Sequence, residues 1–154
     1  MITLSEYWNG RDKDYADECT DEIKANAAET VKRVNKLLAY AEKDGIICTK
    51  VSSGWRPKSV NDATANSAKT SNHLTAKACD LYDPERKLAQ WMITNKSNLG
   101  LCTLWAEDVR WTPTWVHLQC LPPASGKLIY IPSLKPPKAP KLVGQTDLPL
   151  IRIV

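Results

Sequence analysis

The segment 20–44 carries Ile23, Ala27, Val31, Val34, Leu38 and Ala41 at spacings of three and four, with lysines and glutamates between them. That spacing predicts an amphipathic helix with one apolar stripe, and a single stripe must be covered by another layer of structure. Thr20 is placed to cap it, Asp21 and Glu22 fall in its electropositive first turn, and Gly45 follows the last periodic position as a left-handed stop. The covering layer is predicted from short apolar or β-branched runs at 46–53, 78–82, 101–105, 115–120 and 128–131. A second helix is expected over 83–98, with Asp83 as cap, Pro84 at the first helical position and Leu88, Trp91 and Met92 turned inward. This order is not a repeating βα pattern, so the expected class is α+β: a small antiparallel sheet with flanking helices.

At 154 residues the chain has room for one core, which argues against a separate cofactor module. Residues 58–77 are small and polar without a sustained period, and are read as a long surface loop of the kind that is functional when ordered. Seven of the ten prolines follow residue 121, so the chain divides into a body, 1–132, and a Pro-rich basic tail, 133–154, whose apolar end LPLIRIV is placed to dock on the body.

The net charge of +4 lies within residues 127–154, leaving the body neutral. A neutral body argues against a nucleic-acid footprint, and no apolar run is long enough to predict a membrane span. The opening MITLSEYWNG has neither a basic nor an apolar signal region, so synthesis in a cytoplasm without a signal peptide is expected. The five cysteines form no CxxC pair, and Cys48, Cys79, Cys102 and Cys120 lie in or beside apolar stretches, so buried reduced thiols are expected. A cysteine nucleophile would need one of them beside a histidine.

There are two histidines, His73 and His117, and any histidine chemistry must use them. His73 lies in the polar loop seven residues before Asp80, and a bend between them brings both to one point. In WVHLQC, period-two alternation places Trp115, His117 and Gln119 on one strand face. Two imidazoles and a carboxylate suit Zn²⁺ with a fourth position open. A strand histidine is equally read as a packed polar residue, and H-x6-D alone is a common spacing.

The combination of SSGWRP at 52–57, SNHLTAKACD at 71–80 and WVHLQ at 115–119 resembles the zinc-dependent D-alanyl-D-alanine carboxypeptidases and L-alanyl-D-glutamate endopeptidases of the hedgehog/DD-peptidase fold, most of all their short bacteriophage members. TLSEYWNGRDKDY and RVNKLL also look like that subgroup, so the resemblance covers about residues 1–132. It implies His73, Asp80 and His117 as zinc ligands and Arg56 as the cation on the scissile carbonyl. Ser71 would bind substrate or orient the loop, and Gln119 would contact substrate or support a ligand.

Two positions depart from the family pattern. Ala76 replaces its usual Gly, which a chain tolerates where the backbone needs no positive φ. Thr114 and Trp115 occupy the places of the family's general base, so Glu107 and Asp108 in WAEDVRW become the candidates for that role. The resemblance implies a zinc peptidase cutting an amide bond in peptidoglycan stem peptides, as a phage-type lysin or a virion-borne hydrolase acting on the host wall; the sequence does not fix its oligomeric state, and a monomer is favoured. The alternative is a weak or inactive relative serving as a metal-binding structural or wall-binding module of a phage particle.

Overall fold

The computed structural model describes residues 1–65 and 67–132. The tail assigned to 133–154, and the docking expected of its end, lie outside the described residues. The chain begins with α1 (Leu4–Trp8) and α2 (Arg11–Asp14), followed by the long α3 (Asp21–Lys43). Thr20 Oγ1 accepts the Ile23 amide at 3.3 Å and Gly45 takes φ +79°, so both ends of α3 fall where cap and stop residues place them. Ala27, Val31, Val34, Leu38 and Ala41 are buried as the spacing predicts, joined by Thr30 and Leu37. Each large aliphatic side chain buried along this stripe contributes about 1.5–3 kcal/mol before ordering costs.

The covering layer is a five-stranded sheet: β1 (Val51–Ser53), β2 (Ala78–Tyr82), β3 (Trp105–Glu107), β4 (Trp115–Gln119) and β5 (Ile129–Tyr130), in spatial order β1-β2-β4-β3-β5. It is mixed rather than purely antiparallel, because β5 runs parallel to β3. The position beside β4 is already taken by β3. A chain that leaves β4 and reverses through Pro122, Pro123 and Gly126 therefore reaches the outer edge alongside β3 in the same direction. The α+β class holds, with the sheet corrected.

Four other boundaries differ from expectation. Only the end of 46–53 is a strand, since its partner β2 stops at Tyr82 and nothing remains for the upstream residues to pair with. Residues 58–77 are not one loop: they hold α4 (Lys58–Ala63) and a 3₁₀ turn (Asn72–Thr75). Only Asn61 of α4 is buried, so no apolar period marked that helix. The second predicted helix is two, α5 (Lys87–Thr94) and α6 (Ser97–Leu101), and α6 takes the start of the run predicted as a strand at 101–105. A short buried apolar run does not distinguish the two states.

Alternation gives the sheet two unlike faces. Cys79, Leu81, Ala106, Val116, Leu118 and Ile129 belong to the same buried apolar cluster as the α3 stripe. The residues between them, Asp80, Glu107, His117, Gln119 and Tyr130, form a polar row on the other face, with Asp80 paired directly to His117. No helix among the described residues is long and apolar enough to cross a membrane.

Candidate metal centre

The polar row meets the 54–57 and 71–76 segments at one point. Gly54 passes directly under α1, where a Cβ would stand 2.0 Å from the Tyr7 carbonyl oxygen, so only glycine fits. Its own carbonyl accepts from His73 Nδ1 at 2.7 Å. Ser71 caps the 3₁₀ turn, its Oγ accepting the His73 amide at 3.2 Å, and the His73 carbonyl accepts the Arg56 amide at 3.0 Å. The turn closes at Ala76, which is buried and takes φ +57°. The backbone thus does adopt the left-handed conformation for which glycine is the usual residue. Thr30 Oγ1 donates to the Ala76 carbonyl at 2.7 Å and Tyr7 Oη to the Ala78 carbonyl at 2.8 Å, fixing the segment that leads into β2.

Within this frame His73, Asp80 and His117 each present one ligand atom, all within 4.8 Å of one another, and the two imidazole centroids are 5.2 Å apart. Asp80 Oδ1 lies 2.8 Å from His117 Nδ1 and Asp80 Oδ2 3.3 Å from His73 Nε2. The second contact lacks hydrogen-bond geometry, and His73 Nε2 is buried with no hydrogen-bond partner among the described residues. A carbonyl can only accept, so Gly54 fixes the proton on His73 Nδ1 and leaves a lone pair on Nε2 facing a carboxylate oxygen. Two lone pairs at that distance repel unless a positive charge lies between them. The three residues therefore fit a metal cation.

The electrostatics agree with that donor set. Burial lowers His73 below the ordinary histidine value and keeps it neutral, outweighing the pull of Asp80. Burial would raise Asp80, but the two histidines outweigh it and hold the carboxyl well below the usual range, so it stays ionised. His117 is pushed down by burial and up, more strongly, by its hydrogen bond to Asp80 and the charges of Asp80 and Glu107.

Arg56 stands beside the cluster, buried, with Nη2 3.6 Å from Asp80 Oδ2 and Nη1 3.4 Å from Asn61 Oδ1. Asn61 is held in turn by the Ala68 carbonyl at 2.9 Å. Arg56 Nε is buried with no hydrogen-bond partner among the described residues, a donor left available at the cluster. Glu107 lies one step beyond the Ala106–Leu118 pair on the polar face, half-buried, and burial raises its carboxyl above the usual value against the pull of His117. Asp108 is placed differently: both its oxygens hold Arg110, at 2.9 and 2.6 Å, and Oδ1 also accepts the Arg110 amide. Gln119 bridges His117 and Tyr130.

Residue-type reasoning missed Asn61 and Tyr130, as well as the Gly54 carbonyl. An asparagine in a polar stretch carries no signal, and the placement of Tyr130 depends on the parallel edge pairing of β5. All five cysteines are free, burial raises every thiol, and none bonds to a histidine among the described residues. Comparison with protein-family models, curated proteins and solved structures finds no match for this chain.

Proposed function

We propose that the protein is a zinc peptidase that hydrolyses an amide bond in peptidoglycan stem peptides, of the D-alanyl-D-alanine carboxypeptidase and L-alanyl-D-glutamate endopeptidase type with the hedgehog/DD-peptidase fold, acting as a phage lysin or virion-borne wall hydrolase. The observation that carries this is the convergence of His73 Nε2, Asp80 and His117 around a point where an unscreened lone pair needs a cation. Two imidazoles and one carboxylate are a donor set for catalytic zinc, and the motifs that supply them resemble those of the wall peptidases. Zn²⁺ held there would supply Lewis acidity toward the substrate carbonyl and lower the pKa of water.

The chain's own groups divide the remaining work. The Arg56 guanidinium donates to the carbonyl oxygen as negative charge develops on it, a use that matches its unpartnered Nε. Glu107 is the acid–base group: its raised carboxyl accepts a proton from the attacking water and delivers it to the amine nitrogen as the carbon–nitrogen bond breaks. Asp108, tied to Arg110, orders the strand end that carries Glu107.

The test is metal content and release of new amino groups from purified murein, with and without a chelator. His73→Ala and His117→Ala should lose zinc and amine release together. Zinc-free protein that digests murein as fast as the zinc-loaded form would sink the proposal. Zinc uptake and binding to sacculi with no amine release would favour the wall-binding module instead.

A further inference from the structure

Arg56 is buried beside the candidate metal centre, and the nitrogens of its guanidinium meet different surroundings. Nη2 faces Asp80 Oδ2 at 3.6 Å, Nε has no hydrogen-bond partner among the described residues, and Nη1 donates to Asn61 Oδ1 at 3.4 Å. In the planar fork Nε–H and one Nη2–H share an edge, and Nη1 lies across from Nε. With Nη1 engaged by Asn61, the edge left free beside Asp80 is Nε–Nη2. Asn61 is itself fixed, as the one buried residue of α4. Its Nδ2 donates to the Ala68 carbonyl at 2.9 Å and its main-chain carbonyl accepts from Ser67 Oγ. A carbonyl only accepts and a guanidinium only donates, so both neighbours impose the same orientation on the carboxamide. The Ala68 carbonyl also accepts the Ser71 amide at 3.2 Å, and Ser71 caps the turn that carries His73.

We infer that Asn61 is a positioning residue that anchors Arg56 at Nη1 and keeps its Nε–Nη2 edge open at the cluster. The inference rests on the proposed peptidase, in which that edge meets the substrate carbonyl. A competing pose lies close by. A guanidinium and a carboxylate prefer two parallel N–H···O bonds, and the Asp80 carboxylate is the nearest candidate for such a pair. Closed onto Asp80, Arg56 would have its donors taken by a neighbour, and Asp80 would have its lone pairs taken from a metal. The Asn61 acceptor holds the guanidinium short of that pairing, in keeping with an Nη2 that stands at 3.6 Å, longer than a hydrogen bond. In this scheme Asn61 touches neither metal nor substrate and acts through Arg56. That also gives the short polar helix α4 its purpose, since its one buried side chain is the anchor.

The experiment is a double-mutant cycle on the full chain, with wild type, Asn61→Leu, Arg56→Ala and the double variant. Zinc affinity is read by competition with a chromophoric chelator, and kcat by amine release from murein. Asn61→Leu, close in size but without the acceptor, should lower kcat roughly 10–100-fold by misplacing the guanidinium. It should also weaken zinc binding, by roughly tenfold or less, as Arg56 closes on Asp80. In the Arg56→Ala background the same substitution should change neither quantity, because a residue that acts through the guanidinium has no effect once it is gone. Asn61→Ser, which withdraws the acceptor from Nη1, serves as the test should Asn61→Leu not fold. A folded Asn61 variant with wild-type kcat and zinc affinity, or equal losses in both backgrounds, overturns the anchor and leaves the proposed peptidase standing. A wild type that binds zinc but releases no amine overturns the peptidase, and the zinc cycle still decides the anchor. A wild type that takes up no zinc overturns both.

Discussion

Asp80 and Asp83 are three residues apart, both are buried, and each has a buried arginine nearby, yet the two clusters are built on different plans. Around Asp83 the partners are main chain: its carboxylate accepts the Leu88 and Ala89 amides at 3.2 and 2.8 Å, starting α5. Arg86 donates to the Val109, Thr112 and Trp115 carbonyls and so ties that turn to the connection between β3 and β4. Around Asp80 the partners are other side chains, and two of them, Arg56 and His73, keep a buried nitrogen without a hydrogen bond. Buried charge is costly unless it is paired and hydrogen-bonded. The Asp83 cluster meets that requirement from main-chain partners, while the Asp80 cluster leaves His73 Nε2 and Arg56 Nε without a hydrogen bond among the described residues, the two groups that the proposed metal and substrate would engage. Unpartnered polar atoms also occur beside the Asp83 cluster, at Trp111 Nε1 and Thr112 Oγ1, so what marks the Asp80 cluster as the candidate site is that its unsatisfied atoms belong to the titratable and charged groups themselves.

The difference is broken or sharpened by removing one group from each cluster. On the proposed reaction, Glu107→Gln should lower kcat on murein roughly 10²–10⁴-fold with zinc affinity unchanged, because it removes proton transfer and no ligand. Retained activity would exclude Glu107 as the acid–base group. Arg86→Ala should act the other way, costing about 3 kcal/mol of stability in urea unfolding by leaving buried carbonyls unpartnered, while the folded fraction still binds zinc. An Arg86→Ala protein of normal stability but poor zinc affinity would make the two clusters one functional unit.

The His73–Asp80–His117 cluster was more legible than the fold around it, and the reason is chemical scarcity. With two histidines in the chain, any histidine cluster could only involve His73 and His117, which the structure brings together with Asp80, and alternation in WVHLQ placed His117 and Gln119 on one face. Long periodic α3 and the β2 and β4 strands were equally readable, because burial on one face imprints a period. What was hidden depends on tertiary partners. The helix α4 is polar on nearly every side, β5 takes its direction from the strand already beside β4, and the contact of Tyr130 with Gln119 follows from that pairing. Glu107 and Asp108 are neighbours with the same chemistry, and only the placement of Arg110 tells them apart.

That last pair gives a smaller effect. Burial raises Asp108, but the Arg110 hydrogen bonds and charge outweigh it, so its folded carboxyl lies below the ordinary value near 3.8. The stability it contributes is therefore present above that ordinary value and is lost as pH falls through the depressed folded one. Asp108→Asn should be less stable than wild type by a constant amount from pH 5 to 8, below about 1 kcal/mol because Arg110 is half exposed. The gap should close below about pH 4. Urea midpoints across pH measure it, and a gap that widens in acid would contradict the assigned ion pair.

The smallest effect is expected at the turn that carries His73. Ala76 holds a left-handed φ of +57°, which costs a non-glycine residue about 1–2 kcal/mol. Ala76→Gly would relieve that strain, yet it loosens the unfolded chain by about 0.4–1 kcal/mol and removes a buried methyl worth about 0.8 kcal/mol. These terms nearly offset, so stability should change by less than about 1 kcal/mol in either direction. Zinc affinity should hold as well, since the Ser71 cap and the Gly54 carbonyl, not the Ala76 methyl, orient His73. A tenfold loss of zinc in Ala76→Gly would mean that the rigidity of this turn, and not its hydrogen bonds, holds the ligand in place, which would move the Asp80 cluster toward the Asp83 plan.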